Sequence, residues 1–289
     1  MAVLWGVVAF VWKRGRQVPL RESLLFVFLA IRHVRSFVSL FRIRLGPSNS
    51  LLVKTRPEVL EFIYSPYVAS SWSAPQRIHK IADHCSTVRR VGGILDFEPD
   101  CIVDVLRLDP IDVRYRITLD QARWLLSDGQ LVISLWEEVD RLYSLSFCLS
   151  SEEGRLRACI GGIQGREGAD VLDRYRLFTK QSYGMRPRDF LIEVFKIFCR
   201  VINVTEIHAI SDDNRPSLQS IDEFKSRYDL VWCERGGTIG PDGFFTLPLA
   251  AYSRKAETIP PRKRAMYRNR HGMMSAIEAM LASAMQGRA

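Results

Sequence analysis

Three catalytic signatures are missing from this 289-residue sequence: it has no Walker phosphate loop, no HExxH and no GxSxG. Their absence removes P-loop nucleotide hydrolases, helix-borne zinc proteases and nucleophile-elbow hydrolases as readings. None of the six cysteines (Cys85, Cys101, Cys148, Cys159, Cys199, Cys233) forms a CxxC pair or a zinc-like spacing with histidine. His79 and His84 stand five apart, not the four that would pair them on a helix face. No metal site is expected. No apolar run approaches the roughly 20 residues of a spanning helix; Leu24 to Ile31 is a run of eight. Val3 to Trp12 is apolar too, but no basic residue precedes it and no small-residue cleavage site follows, so it reads poorly as a signal peptide. Internal repeats and low-complexity segments are absent as well.

What is present is ordinary globular composition: 47% hydrophobic and 25% charged residues, enough chain for one large core. Cys148, Cys159 and Cys199 lie in apolar runs and read as buried thiols of a reducing compartment, which favours the cytoplasm. The net charge of +9 is unevenly placed. Residues 1–60 hold ten Lys/Arg against two Asp/Glu, and residues 254–289 hold eight against two, leaving a mildly acidic centre. Basic ends suit an anionic partner such as a phospholipid surface, and they equally suit plain solvation. The tail groups Arg262, Lys263, Arg264, Arg268 and Arg270 around Tyr267, with no DNA- or RNA-binding motif beside them. Specific nucleic-acid recognition is therefore not expected.

Residues 20–45 read as a basic amphipathic helix ending at Gly46-Pro47, with Arg21, Arg32, Arg35 and Arg42 near one face. Such a helix suits peripheral attachment to an anionic inner-membrane surface, or docking on the protein's own core. A short helix follows Pro57, and a longer one spans Pro75 to Val88. From about residue 100 the period changes to two. Strands are expected at Cys101–Leu108, Asp112–Leu119, Leu131–Trp136, Leu142–Leu149 and Leu156–Ile163, with hairpin turns at Asp128-Gly129 and Glu152-Glu153-Gly154. Helices are expected at Ala169–Gln181 and from Pro187, then a strand at Glu206–Ser211, a short helix at Ser220–Arg227, and strands at Leu230–Trp232 and Phe244–Leu247. The tail reads as a basic helix over Arg262–Arg270 and an Ala/Met-rich one to about Met285. The fold class is α+β: a mixed, largely antiparallel sheet flanked by helices. A basic helical region (1–95) precedes the α+β domain (96–253), and a basic helical tail (254–289) follows.

The order antiparallel strands, helix, strand, helix, strand resembles the GNAT superfamily of N-acyltransferases. That resemblance implies a loop whose backbone N–H groups hold the pyrophosphate of coenzyme A, with the next helix aiming its positive end at the same phosphates. The loop pattern Gln/Arg-x-x-Gly-x-Gly/Ala is met at Gln181 and Gly184, with Arg186 at the third anchor, and Arg188 adds a second guanidinium. Gln164 and Gly165 make a second candidate phosphate loop. Some 17 residues between Ile163 and Gln181 depart from the pattern, in which a strand runs straight into the loop. A helix cap is the alternative reading of Gln181 to Arg188. Acyl transfer to an amine needs a base and an acid for the leaving thiolate. Glu137, His208 and Tyr228 are the candidates, each with an ordinary structural alternative.

Further segments carry a more specific resemblance: Ser65-Pro-Tyr67 with Trp72, Arg77 and His84; Arg141 to Phe147; Ile160 to Gly165; Thr179 to Pro187; Trp232 to Glu234; Phe244 to Pro248; and Lys263 to Arg270. Running in order over about residues 50–270, they are similar to the VirK/YbjX family of bacterial proteins, which carry a domain of unknown function. The resemblance implies envelope and virulence functions and supplies no catalytic residues. Two expectations follow. One is an acyltransferase drawing on acyl-coenzyme A or acyl carrier protein. The other is a non-catalytic accessory protein that binds an envelope or virulence factor or lipid.

Overall fold

The computed structural model describes residues 20–216, 227–251 and 259–286. The N-terminal part holds α1 (Leu20–Arg32), α2 (Val34–Leu40), a ribbon of β1 (Arg44–Leu45) and β2 (Ser50–Leu51), α3 (Leu52–Thr55), a 3₁₀ segment at Pro57–Ile63, and α4 (Ala74–Val91). Five strands follow: β3 (Val103–Arg107), β4 (Tyr115–Asp120), β5 (Leu131–Glu137), β6 (Asp140–Glu152) and β7 (Arg155–Gly165). Next come α5 (Val171–Gln181), α6 (Pro187–Val201), β8 (Glu206–Ile210), α7 (Tyr228–Glu234), β9 (Thr238–Ile239), β10 (Phe244–Leu247) and α8 (Arg264–Gln286).

The eight-stranded sheet has the order β3-β4-β5-β6-β7-β8-β10-β9. Neighbours are antiparallel except β7 and β8, which run parallel through the crossover of α5 and α6. The expected α+β class with a helical N-terminal region is borne out. α6 is the central helix, buried along most of its length. Phe195 and Phe198 pack edge-on against Phe147 of β6, at 4.9 and 6.1 Å between ring centroids. α8 packs on α6 and on β3, and one apolar cluster runs from Phe26 to Leu281.

The structure corrects four element assignments. The expected helix over 20–45 breaks at His33, where α1 and α2 bend by 100°. Phe26 of α1 then folds back onto Phe37 of α2 at 5.6 Å. Leu230–Trp232 is helical, not extended: both carboxylate oxygens of Asp212 accept from the first N–H groups of α7, at Tyr228 (2.9 Å) and Asp229 (3.2 Å). Asp128-Gly129 is no tight two-residue turn: β4 and β5 do form a hairpin, but its connection is the whole segment 121–130, which carries a 3₁₀ turn at Arg123–Leu125. The two expected tail helices are one. The expected helix at Ser220–Arg227 falls almost wholly outside the described residues, and the apolar run Val3–Trp12 does so entirely. Among the described residues no single helix is long and apolar enough to cross a membrane.

α4 is tied to the sheet by His84, whose Nδ1 accepts from the Leu149 N–H of β6 at 2.9 Å. Burial pushes this imidazole down to about 3. The unfolded chain takes up the same proton near its ordinary value of about 6.5. His84 therefore imposes no penalty above about pH 7 and an increasing one as pH falls towards 3. His84→Gln keeps an acceptor and removes the titration. In urea melts the stability gap between wild type and variant should shift in the variant's favour by about 2 kcal/mol between pH 7.5 and pH 5. A pH-independent gap would show that His84 is not the titrating group.

Candidate functional site

Leu172, Arg176, Thr179 and Lys180 of α5 fall within about 100° of one helical face, and Tyr183 follows in the loop after it. That face, Tyr143 of β6, Met266 of α8 and the segment Gly184–Arg188 line an open cavity of about 760 Å³. Four cations line it: Arg176, Lys180, Arg186 and Arg188. Arg176 also pairs with Asp173 at 2.7 Å, and Arg188 with Asp189 at 3.2 Å and Glu234 at 3.5 Å.

The loop between α5 and α6 is set by local hydrogen bonds. Tyr183 and Gly184 take left-handed φ values of 54° and 79°. The Gly184 N–H then donates back to Thr179 O at 2.7 Å, and Met185 N–H to Ser182 O at 3.3 Å. The Ser182 hydroxyl lies 2.7 Å from Phe178 O and 2.8 Å from Met185 O. From α8, Arg270 donates through Nη2 (2.7 Å) and Nε (3.1 Å) to Tyr183 O, placing a cation at the negative end of α5. A side chain at Gly184 would meet that guanidinium at 3.1 Å. α6 starts at Pro187 with Arg186 as its N-cap residue, and no side chain caps it. The amides of Arg188 and Asp189, in the first turn, have no intrahelical acceptor.

The structure brings Gly184, Arg186 and Arg188 onto this one cavity. It turns Gln181 away. Tyr115 Oη donates to Gln181 Oε1 at 3.0 Å, and Gln181 Nε2 donates to Asp112 Oδ2 at 2.9 Å. Glu137 belongs to the same cluster, 3.4 Å from Tyr115 Oη and Arg114 and 3.3 Å from Arg174. Hydrogen bonds from Arg114 hold Asp112 down at about 2, and burial with the nearby Glu137 pushes the Tyr115 phenol up to about 12. Gln164 and Gly165 line a second cleft of about 360 Å³ with Trp124, Arg141 and Ser144. Tyr143 borders both spaces. His208 pairs in register with Cys159 and Thr246, its ring 3.4 Å from Glu206. Cys159 lies six residues from Gly165 along β7, about 20 Å of extended chain.

Tyr228 occupies the place where β7 and β8 part. Their pairing ends at Ile160 with Ala209, although β7 continues to Gly165. Register slips opposite Phe147, where Gly161 is the extra residue on β7. Asp128 presses on this bulge: a Cβ at Gly161 would stand 1.9 Å from the Asp128 carbonyl oxygen. Past the bulge, Tyr228 Oη accepts from Ile163 N–H at 2.8 Å and donates to Ile163 O at 3.1 Å. Arg215 stacks 3.8 Å above the phenol ring. Burial pushes Tyr228 up to about 12 and the Asp128 carboxyl up to about 6. Of the three catalytic candidates Tyr228 bonds across this parting, His208 sits one residue before its last pair with its ring on Glu206, and Glu137 is held in the Tyr115 cluster.

Sequence reasoning missed Tyr143, Met266 and Asp128. The first two reach the cavity from β6 and α8, distant in the chain. For Lys180 and Arg176 a signal existed, since they recur on the same helical face as Leu172. Among the described residues no three His, Cys, Asp or Glu side chains gather as a metal site.

Comparison with known proteins adds relatives to this geometry. The chain is 23% identical over 251 residues to the Escherichia coli (strain K12) "Uncharacterized protein YbjX", covering 83% of this chain and 76% of that one. Two Haemophilus influenzae proteins, each named "Uncharacterized protein", are 24% identical over 164 residues and 30% identical over 140. The matches span about half of each, 54% and 45%. The VirK/YbjX family resemblance read from the sequence is thereby borne out. A family model described as "Protein of unknown function (DUF535)" matches residues 19–283, and the chain belongs to that family.

Proposed function

We propose that the cavity at the start of α6 holds the phosphates of an acyl thioester donor, coenzyme A or acyl carrier protein, and that the chain is an acyltransferase. The observation that carries this reading is the uncapped first turn of the 15-residue α6 opening beside Arg186 and Arg188 onto a basic cavity. Backbone N–H groups and helix dipole there favour a phosphate, and Lys180 and Arg176 extend the positive wall. The sheet gives a second support: the parallel pair parts after Ile160, leaving a strand edge along which an extended thioester arm can run. In this reading Tyr228, protonated at neutral pH, stands at the parting and donates its proton to the leaving thiolate. Donor entry then exchanges the Tyr228 bonds to Ile163 for bonds to the arm.

The alternative, an accessory protein of envelope or virulence function without catalysis, has two observations in its favour. Tyr228 already satisfies both backbone groups of Ile163, and Glu137 is engaged by two arginines.

Calorimetry with coenzyme A, acetyl- and long-chain acyl-coenzyme A and acyl carrier protein separates the two. The first reading expects donor binding that weakens about ten-fold or more in Lys180→Glu/Arg186→Glu. Absence of binding to every donor sinks it, and binding indifferent to the double variant sinks the assigned site. Tyr228→Phe should lose about 2 kcal/mol in urea melts, because Ile163 keeps a buried N–H and C=O without partners. With donor binding retained, its acyl-transfer rate should fall by about 100-fold; an unchanged rate would leave Tyr228 only its structural role.

A further inference from the structure

α1 carries its apolar residues on the wrong side for a helix that only serves the core. Phe26 and Ala30 are buried, Phe26 against Phe37 and Tyr64. Yet Leu24, Phe28 and Ile31 are 63%, 58% and 71% exposed, and Leu25, Val27 and Val34 are exposed beside them. At 100° per residue Leu24, Val27, Phe28 and Ile31 fall within an arc of about 100°. Arg21 and Arg32 lie within about 40° of one edge of that arc, and Glu22, the acidic residue of α1, is turned about 120° from the same edge. Arg35 is exposed just beyond the bend.

We infer that this face of α1 is a docking surface for an anionic lipid bilayer, on which the helix lies flat. Acyl chains cover Leu24, Phe28 and Ile31, and headgroup phosphates pair with Arg21, Arg32 and Arg35. Charge selects this occupant. The chain preceding Glu22 has four basic residues, Lys13, Arg14, Arg16 and Arg21, and no acidic one. Setting Lys13, Arg14 and Arg16 against Arg21 and Arg32 would bring like charges together, as would docking a second copy of α1. An anionic surface neutralises all of them. The described part of the helix, 13 residues, gives about 20 Å against a hydrocarbon core of about 30 Å. It bends by 100° into α2, so the two do not form one straight helix. This inference is independent of any acyl donor and stands or falls without it.

Flotation of the full chain with phosphatidylcholine vesicles, with and without phosphatidylglycerol, tests it. Recovery should require phosphatidylglycerol. Leu24→Asp/Phe28→Asp/Ile31→Asp should lower the partition coefficient roughly 100-fold, and Arg21→Gln/Arg32→Gln about ten-fold. Thermal unfolding of the triple variant should match wild type, since those side chains face solvent. Equal recovery on both vesicle types, no recovery of wild type, or flotation unchanged in the triple variant overturns the proposal. A fall in the triple variant's Tm would show that the patch is covered by the chain itself, and a dimer lost in that variant would show that a second copy covers it. Either result overturns it too.

Discussion

The rest of the candidate site depends on one steric constraint, the contact of the Asp128 carbonyl with the backbone of Gly161. The gap there is too small for any Cβ, so β7 bulges and slips its register against β6. Beyond the slip β7 no longer pairs with β8, and the Ile163 N–H and C=O need another partner. Tyr228 supplies one hydroxyl for both. α7 is in turn held by Asp212 at its start and by the Trp232 indole bond to Ile210 O at 2.8 Å. A local crowding in the sheet thus fixes a helix, and the helix closes the gap the crowding opened.

Charge around α6 follows the same economy. Asp189 in its first turn answers Arg188 at 3.2 Å and Arg235 at 2.8 Å, while Glu193 and the fully buried Lys196 pair one turn further on. The cavity lining at the start of α6 is basic, so an incoming anion meets positive charge there.

Much of this was readable because it is written locally. Pro187 followed by an apolar period of 3.6 specifies α6, and the alternation of Leu142 to Leu149 specifies β6. Gly184, Arg186 and Arg188 share a cavity because they are near neighbours in the chain. What failed was decided from a distance. Three apolar residues at Leu230 fit strand or helix equally, and Asp212, sixteen residues before Tyr228, makes the choice. Asp128-Gly129 has hairpin chemistry, yet Gly129 is spent on a close approach to the Phe147 backbone. His33 breaks α1 from α2 without a glycine or proline to announce it. Gln181 matches a loop motif by type and faces the other way, because Tyr115 and Asp112 hold its amide.

The bond from Arg270 to Tyr183 O spans 87 positions. A nascent chain leaves the ribosome with α5 and α6 complete long before Arg270 is made. During that interval the carbonyl end of α5 lacks its cation and Met266 has not yet closed the cavity wall. β3, the first strand of the sheet, also waits for α8 to cover it. The wall that Met266 contributes is therefore among the last parts of the cavity to be made during synthesis, after all four of its cations.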